Sequence, residues 1–378
     1  MPGLRQLIPI VVVAAVVCLT ALSPPPARAA DPGPELRRTM FGLTGWTFPK
    51  RREVRTLSRR GLRSWRAILD WDGAERRRGR WTWLGYDRLV ARLASRQLSP
   101  VFLLTGCPSW ACHRGGLGPP RTAEAKAAWA EFVRRAVRRY GNGGSFWRAR
   151  PRLRYRPVGY WQVLNEINGR DQWPHPSAAA YAALLRRTAA AIRASDPSSR
   201  VVLGGLGENM TQRLRTYLPD LYRQPGFAAS IDVVAVEGYS PRPRDVARIM
   251  RTTRRIMRQF GDLAKPVWIT EMSWATGGGP HPFVTTRRLQ ARKLRRAYDL
   301  LLACRDHWNL KRVFWFSHRD RPVARGQADY WGNHNGLLTA GGRWKPAMRV
   351  FLHYVRKRLP RSHRTSCRAA ARAAHARL

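Results

Sequence analysis

The 378-residue chain has little lysine and few acidic residues. Lys accounts for seven of the 70 basic residues, and Asp and Glu together number 23, so the formal net charge is +47. Hydrophobic residues nevertheless make up 44% of the chain and aromatic residues 10%. A disordered polycation would contain much less apolar material. The composition therefore excludes that class and predicts a globular fold.

The sequence also lacks the repeats of elongated proteins and the motifs of nucleic-acid binding. No collagen triplet, heptad array or 20–50-residue repeat is visible, which excludes fibrous and solenoid folds. Without a helix-turn-helix, zinc-finger or RNA-recognition signature, no nucleic-acid partner is expected. A coding bias toward Arg would explain the charge with no ligand. If the charge is used, an acidic polysaccharide or an anionic cell-surface polymer is the favoured partner.

Only the N-terminus carries a long apolar run. Arg5 precedes the run from Leu7 to Leu22, which is followed by three prolines and then Ala27-Arg28-Ala29. A basic residue, an apolar run shorter than the ~20 residues of a membrane span and a small-x-small site are typical of a secretory signal peptide. We expect residues 1–29 to be this signal and the remainder to be exported without a membrane span. A permanent anchor is the alternative.

Cysteine is scarce, and the predicted signal contains one of the five. The other four are Cys107, Cys112, Cys304 and Cys367. An even number in an exported protein predicts disulfides. The first two are close enough to close one loop, and the others could join the last helix to the tail. Free thiols are the alternative. No CxxC pair or His-x-x-x-His helix is present, so no metal and no cofactor are expected.

Strand-like and helix-like segments alternate over residues 39–356. The predicted strands are Thr39–Gly45, Leu62–Leu69, Ser99–Thr105, Gly159–Asn165, Val201–Gly205, Ile231–Glu237, Pro266–Glu271 and Arg312–Ser317. Amphipathic helices are predicted over Trp83–Arg96, Ala123–Tyr140, Ala178–Ala194, Val246–Phe260 and Leu289–Cys304. Because eight parallel strands close a barrel, we expect an α/β fold, a single (β/α)8 TIM barrel. A basic Arg/Ala-rich tail is predicted over residues 357–378.

Two of the few acidic residues follow predicted strands directly. Glu166 follows the fourth strand, and Glu271 follows Thr270 at the end of the seventh. In a (β/α)8 barrel the catalytic groups project from these strand ends. Cleavage of a glycosidic bond needs two carboxyl groups, ~5–5.5 Å apart for retention and ~6.5–9.5 Å apart for inversion. A salt bridge to one of the many Arg residues is the alternative role for either Glu.

A resemblance to a known family supports a catalytic role for Glu166 and Glu271. The segment Asn165-Glu166-Ile167-Asn168 resembles the Asn-Glu-Pro-Asn motif of clan A glycoside hydrolases, which are retaining (β/α)8 enzymes. This resemblance implies that Glu166 is the acid/base and that Asn165 holds the sugar 2-hydroxyl. It also implies that Glu271, in the context Trp-Ile-Thr-Glu-Met-Ser-Trp, is the nucleophile. The β-xylosidase and α-L-iduronidase branch, family 39, and the cellulase-like family 5 are the most similar.

Further blocks of the chain resemble the same clan. They are residues 61–87, which include Glu75-x-x-x-Gly79 and Tyr86-Asp87, then Cys107-Pro108-Ser109-Trp110-Ala111 and Arg139-Tyr140-Gly141. The resemblance implies that Arg66 lies near the nucleophile, that Tyr239 hydrogen-bonds it and that Trp315 forms the floor of the first sugar subsite. Two positions depart from the pattern. Ile167 replaces the usual Pro, and Glu237, where many relatives have His, would perturb the nucleophile or contact substrate.

Aromatic residues near the strand ends are candidates for stacking on sugars. They are Trp71, Trp110, Trp173, Trp274, Trp315 and Trp331, of which Trp274 and Trp315 are favoured. The sequence thus predicts a secreted retaining glycoside hydrolase whose substrate is an oligo- or polysaccharide, with acidic polymers among the candidates. A non-catalytic barrel that binds carbohydrate or polyanions at the cell surface is the alternative.

Overall fold

The protein is described by a computed structural model that covers residues 39–112, 118–356, 367 and 369–370. The predicted signal, residues 1–29, lies outside the described residues, as does most of the predicted tail. Eight strands follow one another along the chain. They are β1 (Phe41–Thr44), β2 (Ser64–Asp70), β3 (Ser99–Thr105), β4 (Tyr160–Val163), β5 (Arg200–Val202), β6 (Val234–Glu237), β7 (Val267–Met272) and β8 (Leu310–Phe316).

The strands form one parallel sheet that curls into a nearly closed barrel. Their order is β5-β4-β3-β2-β1-β8-β7-β6, so each strand except the two at the seam pairs with its neighbours in the chain. The seam between β5 and β6 is bridged at Val202↔Val233 and at Leu206↔Val236. There the Glu237 amide donates to the Leu206 carbonyl at 2.9 Å. The predicted (β/α)8 barrel is confirmed.

Helices connect the strands, as right-handed parallel crossovers require. They are α1 (Arg51–Arg59), α2 (Trp71–Ala74), α3 (Leu84–Ala94), α4 (Ala123–Tyr140), α5 (Ser145–Arg148), α6 (Ala178–Ser195), α7 (Leu214–Tyr222), α8 (Phe227–Ser230), α9 (Pro243–Gln259), α10 (Arg287–Cys304) and α11 (Pro346–Arg356). Thr122, Ser177 and Thr286 cap α4, α6 and α10, each accepting from a backbone N–H at 3.1–3.2 Å. These hydroxyls explain where the three long helices begin.

Two of the segments that resemble clan A glycoside hydrolases contact each other through Asp87. Asp87 on α3 accepts two hydrogen bonds from the Arg139 guanidinium, at 2.8 and 2.5 Å. It also accepts one from the Tyr140 hydroxyl at 2.8 Å. The Asp87 carboxylate thus joins α3 to the end of α4. This contact explains why Asp87, Arg139 and Tyr140 are found in one chain although they lie far apart in the sequence.

Both disulfides form with the predicted pairing. Cys107 is bonded to Cys112, with the Cα atoms 5.8 Å apart, and closes the loop after β3. Cys304, at the end of α10, is bonded to Cys367, with the Cα atoms 4.6 Å apart. Among the described residues no helix is long and apolar enough to cross a membrane.

An arginine lies inside the barrel at its amino-terminal end. Arg312 of β8 is 4% exposed, and its guanidinium carbon lies 4.6 Å from the ring centroids of both Tyr160 on β4 and Trp268 on β7. The two ring centroids are 4.8 Å apart. Cation–π attraction is strongest where water is absent. The guanidinium therefore links three strands at the end opposite the strand carboxyl termini.

We expect Arg312→Met to destabilise the fold, because the cation–π contacts are lost while most of the side-chain volume remains. The expected decrease in the free energy of unfolding is about 2 kcal/mol. Urea titration followed by circular dichroism measures it, with Arg251→Met on the exposed side of α9 as the control. Equal decreases in the two variants would contradict a specific role for the buried guanidinium.

Candidate active site

The carboxyl ends of the strands bring the predicted site residues together at one mouth of the barrel. Arg66 lies in β2, Glu271 in β7 and Glu237 at the end of β6, and Asn165 and Glu166 follow β4. The chain turns sharply after β4, since Leu164 and Glu166 have φ angles of 60° and 44°. Non-glycine residues rarely adopt this left-handed region, and such strain concentrates at functional sites.

Arg66 is the centre of the hydrogen-bond network. Its side chain is buried, and its Nε donates to Gln162 Oε1 at 2.6 Å. Nη1 donates to Glu271 Oε1 at 2.8 Å and to Thr44 Oγ1 at 3.3 Å, and Nη2 donates to Asn165 Oδ1 at 2.8 Å. A guanidinium bound on every side is held in one orientation. It therefore fixes the position of the Glu271 carboxylate.

Glu271 accepts hydrogen bonds from three side chains. Oε1 is bound by Arg66 at 2.8 Å and by Asn165 Nδ2 at 3.3 Å, and Oε2 accepts from the Tyr239 hydroxyl at 2.9 Å. The residue is 7% exposed. A buried carboxylate that receives a guanidinium, an amide and a hydroxyl is stabilised as the anion. Glu271 is thus an oriented, negatively charged group at the mouth.

Glu166 has the opposite environment. Its hydrogen-bonding neighbour is another carboxyl group, that of Glu237. Burial, followed by the negative charge of Glu271, raises the pKa of Glu166 to about 7 against the opposing effects of Glu237 and Arg66. The Glu166 carboxyl therefore holds a proton below neutral pH.

Glu237 is a buried carboxyl group at the end of β6. Its side chain is fully buried, although the sequence places it among the substrate-binding candidates. The reason is that β6 ends with this residue facing into the barrel, beside its register partner Glu271 on β7. A contact between Glu237 and the substrate therefore stays a prediction from the sequence, for which this burial offers no exposed atom. Burial, followed by the charges of Glu166 and Glu271, raises its pKa well above 4.5.

The two favoured tryptophans are buried as well. Trp274 and Trp315 are each 0% exposed, and their ring centroids lie 6.1 Å apart. Trp274 Nε1 donates to the Ser240 carbonyl at 2.8 Å, and Trp315 Nε1 donates to the Asn335 carbonyl at 3.0 Å. Both rings are covered in this structure, and stacking of a sugar on them stays a prediction. Trp71 and Trp173 are also buried, at 0% and 5% exposure.

Other aromatic side chains surround Glu271 at the mouth. We define the mouth cluster as Tyr239, His281, Phe283, Tyr330 and Trp331. In this cluster Trp331 lies 5.4 Å from Tyr239 and 5.1 Å from both His281 and Phe283, measured between ring centroids. Tyr330 is 42% exposed and Trp331 is partly buried. Tyr239 and Trp331 are candidates from the sequence.

Trp46 extends this aromatic surface toward β1. Its indole is 40% exposed, and Nε1 donates to the Gly332 carbonyl at 3.4 Å, next to the mouth cluster. The Arg321 guanidinium carbon lies 5.5 Å from the Trp46 ring centroid. Sequence reasoning missed Trp46, although its position directly after the first strand places it at the carboxyl end of the barrel.

The loops after β2 and β3 form another part of the rim. Glu75 Oε1 accepts from the Gly79 amide at 2.8 Å, and Oε2 accepts from Trp71 Nε1 at 2.9 Å. Trp110, partly exposed in the Cys107–Cys112 loop, donates through Nε1 to the Glu75 carbonyl at 2.9 Å. The Glu-x-x-x-Gly turn thus holds Trp110 in place. Within the described ranges, no group of three or more His, Cys, Asp or Glu side chains could hold a metal ion.

Solved structures of glycoside hydrolases share this fold. A family 39 glycoside hydrolase from Bacteroides cellulosilyticus WH2 matches with a TM-score of 0.63 and 18% identity over 85% of this chain and 64% of that one. A monomeric β-xylosidase from Caulobacter crescentus CB15 matches with a TM-score of 0.64 and 18% identity over 85% and 69%. A family 5, subfamily 18 enzyme from Streptomyces cattleya, in complex with Manβ1-4GlcNAc, matches with a TM-score of 0.63 and 20% identity over 85% and 83%.

These similarities establish the fold, a (β/α)8 barrel that this chain shares with glycoside hydrolases of families 39 and 5. The chain spans slightly less than two thirds of the Bacteroides protein. No protein-family profile and no curated protein sequence matches the chain.

Proposed function

We propose that the protein is a secreted retaining glycoside hydrolase in which Glu271 is the nucleophile and Glu166 the acid/base. The observation that carries this proposal is the contrast between the two carboxyl groups at the barrel mouth. Glu271 is held as an anion by Arg66, Asn165 and Tyr239, whereas burial and the charge of Glu271 raise the pKa of Glu166 to about 7. Two carboxyl groups with opposite protonation at one pH are what double displacement requires.

In the first step a Glu271 oxygen bonds to the anomeric carbon as the bond to the leaving oxygen breaks. Glu166 gives its proton to that oxygen, which departs as an alcohol. The negative charge of Glu271 is then consumed in the ester, so one cause of the high pKa of Glu166 disappears. Glu166 can therefore remain ionised and accept a proton from water, whose oxygen bonds to the anomeric carbon and releases Glu271.

The substrate would lie over the exposed aromatic surface at the mouth. Trp46, Tyr330 and Trp331 offer ring faces or edges there, and apolar sugar faces stack on such rings. Asn165 lies next to Glu271, where its amide can reach the sugar hydroxyl nearest the reacting carbon. The oligosaccharide in the Streptomyces cattleya complex supports an oligo- or polysaccharide as the substrate class.

A panel of aryl glycosides and polysaccharides, acidic ones included, tests the reaction class. We expect turnover of at least one member, with the product first released in the anomeric configuration of the substrate, as observed by proton NMR. Hydrolysis with inversion would contradict the assignment of Glu271 as nucleophile. Absence of turnover across the panel, with intact binding, would favour the alternative of a non-catalytic binding protein.

Secretion is part of the proposal. It is supported by the two disulfides, which form and persist in oxidising compartments, and by the signal-like N-terminal sequence. N-terminal sequencing of the exported protein is expected to find a start close to Ala29. A start at Met1 in a membrane fraction would contradict it.

Association with acidic polymers is supported by the net charge of +47 and by Arg321 at the mouth. The described residues provide no acidic partner for the Arg321 guanidinium, which lies over Trp46. We expect binding to polygalacturonate to weaken steeply with salt, and Arg321→Gln to weaken it roughly tenfold at low salt. Binding to neutral xylan serves as the control, and Arg251→Gln on α9 as the matched variant. Equal effects of the two substitutions would indicate nonspecific attraction by the overall charge.

A further inference from the structure

A third carboxyl group lies inside the proposed site without a role in the mechanism above. Glu237 ends β6 and is the register partner of Glu271 on β7, with a bulge in the ladder between Val236 and Glu237. The space around it is filled, because a Cβ placed on Gly205 would lie 2.8 Å from Glu237 Oε1 and 2.9 Å from Asn165 Oδ1. Glu237 therefore lies directly behind the residues proposed to react.

The bonding of this carboxyl group is unusual. Glu237 is 0% exposed, and among the described residues no N–H or O–H group donates to either of its oxygens. The carboxyl of Glu166 is close enough to share a hydrogen bond with it when one of the two is protonated. Two carboxylates cannot bond to each other, since both are acceptors only, but a protonated carboxyl can donate to an ionised one. A buried carboxylate without a donor would be very costly.

We propose that Glu237 is a permanently protonated positioning residue whose O–H donates to Glu166 when Glu166 is ionised. This inference rests on the proposed function, because it concerns the same acid/base. Geometry carries it: the carboxyl is fully buried, none of the described residues donates to either of its oxygens, and Glu166 is the side chain within its hydrogen-bonding reach. The direction of the Glu237 pKa, well above 4.5, agrees with it.

The charges facing this pair support the same assignment. Arg66 brings one positive charge and Glu271 one negative charge, and Tyr239 is held protonated, as burial and the nearby carboxylates raise its pKa. Outside this group, Asp171 also acts on Glu166. With Glu237 neutral and Glu166 protonated, Arg66 and Glu271 balance in the resting enzyme. In the glycosyl-enzyme Arg66 balances ionised Glu166, so the buried net charge is unchanged.

Glu237 would act in the second half of the reaction. After Glu166 has given its proton to the leaving oxygen, the Glu237 hydroxyl donates to the new carboxylate and stabilises it as a base. Water then gives its proton to Glu166 and its oxygen to the anomeric carbon, while Glu237 keeps its own proton. Without this donor, Glu166 would retain its proton to a higher pH.

Two substitutions at Glu237 separate the effect of its hydrogen-bond donor from the effect of its charge. Glu237→Gln keeps an N–H donor but cannot ionise, whereas Glu237→Leu has no donor. We expect the alkaline limb of the kcat/KM profile to move upward by about one to two pH units in E237L. In E237Q it should stay close to the wild-type limb. Glu131→Gln, a partly exposed carboxylate on α4, is the control. Equal displacement in E237Q and E237L would overturn the proposal, because it would mean that Glu237 ionises.

A measurement independent of turnover covers the case in which E237L does not fold. At a pH well above that at which Glu166 ionises, infrared spectroscopy should detect the C=O stretch of one protonated carboxylic acid in the wild type, and this band should be absent in E237Q. Its presence in both proteins, or its absence from both, would overturn the proposal. If the band behaves as expected but no glycoside is hydrolysed, the proposed function fails and the protonated carboxyl stands.

Discussion

Replacement of Glu271 by Ala is expected to lower kcat/KM by roughly four orders of magnitude or more, because the first bond to the anomeric carbon can no longer form. With an activated aryl glycoside and added azide, activity should return, since the small anion fits where the carboxylate was. The azide nitrogen then bonds to the anomeric carbon, and the glycosyl azide has the configuration opposite to that of the substrate. Steady-state kinetics and NMR of the product measure both effects.

Part of the loss of activity in Glu271→Ala would come from lower stability of the fold. This part must be separated from the loss of the nucleophile. Glu271→Ala leaves the buried Arg66 without its counter-charge, and breaking such a pair costs about 3–5 kcal/mol of stability. Glu271→Gln, which keeps the size of the side chain, is therefore the matched variant, with melting curves for each protein. Activity that is undiminished in a folded variant would remove Glu271 from the mechanism.

Replacement of Glu166 by Gln is expected to slow hydrolysis of substrates with poor leaving groups by about 10²–10⁴-fold. Formation of the glycosyl-enzyme from a dinitrophenyl glycoside should suffer least, because that leaving group departs without a proton. Pre-steady-state kinetics separates the two steps. A uniform loss across leaving groups would contradict the role of Glu166 as acid.

The pH dependence gives this variant a second signature. Burial and the charge of Glu271 raise the pKa of Glu166 to about 7, so the protonated, competent form is lost as pH rises through that value. The wild-type kcat/KM should therefore fall above about pH 7, and this limb should be absent in E166Q.

The free energy of unfolding should, like kcat/KM, decrease as pH rises. Between pH 4.5 and about 7 the unfolded chain has released this proton while the folded chain still holds it. The free energy of unfolding therefore falls as pH rises through this interval. In E166Q this contribution should be missing, as urea titrations at several pH values would reveal.

Patterns in the sequence were sufficient to predict the strands and the strand ends, which is why Glu166 and Glu271 could be singled out. Strand β3 and helix α4 have the predicted bounds, since both have strong patterns and clear flanking residues. Helix α7 was missed because Pro219 lies inside it, and α1 because it is rich in Arg.

The burial or exposure of individual side chains could not be predicted from the sequence in the same way. The sequence places Trp274 and Trp315 at strand ends, but only packing determines that their rings face inward. The exposure of Trp46 and Tyr330 depends on long loops that meet only in the folded chain. The burial of Glu237 follows from the register of β6 against β7, which no local pattern encodes.

The contacts of Arg66 distinguish residues that the strands hold in place from residues of the rim loops. The two groups should differ in how well they tolerate substitution. Its partners Thr44, Gln162 and Glu271 belong to strands, and Asn165 lies two residues beyond one. The orientation of the Glu271 carboxylate is thus set by the scaffold, whereas Trp46, Tyr330 and Trp331 belong to the rim. If the proposed function holds, rim loops could be exchanged for those of other barrels to alter which sugars are accepted, while the proposed reacting centre is kept intact.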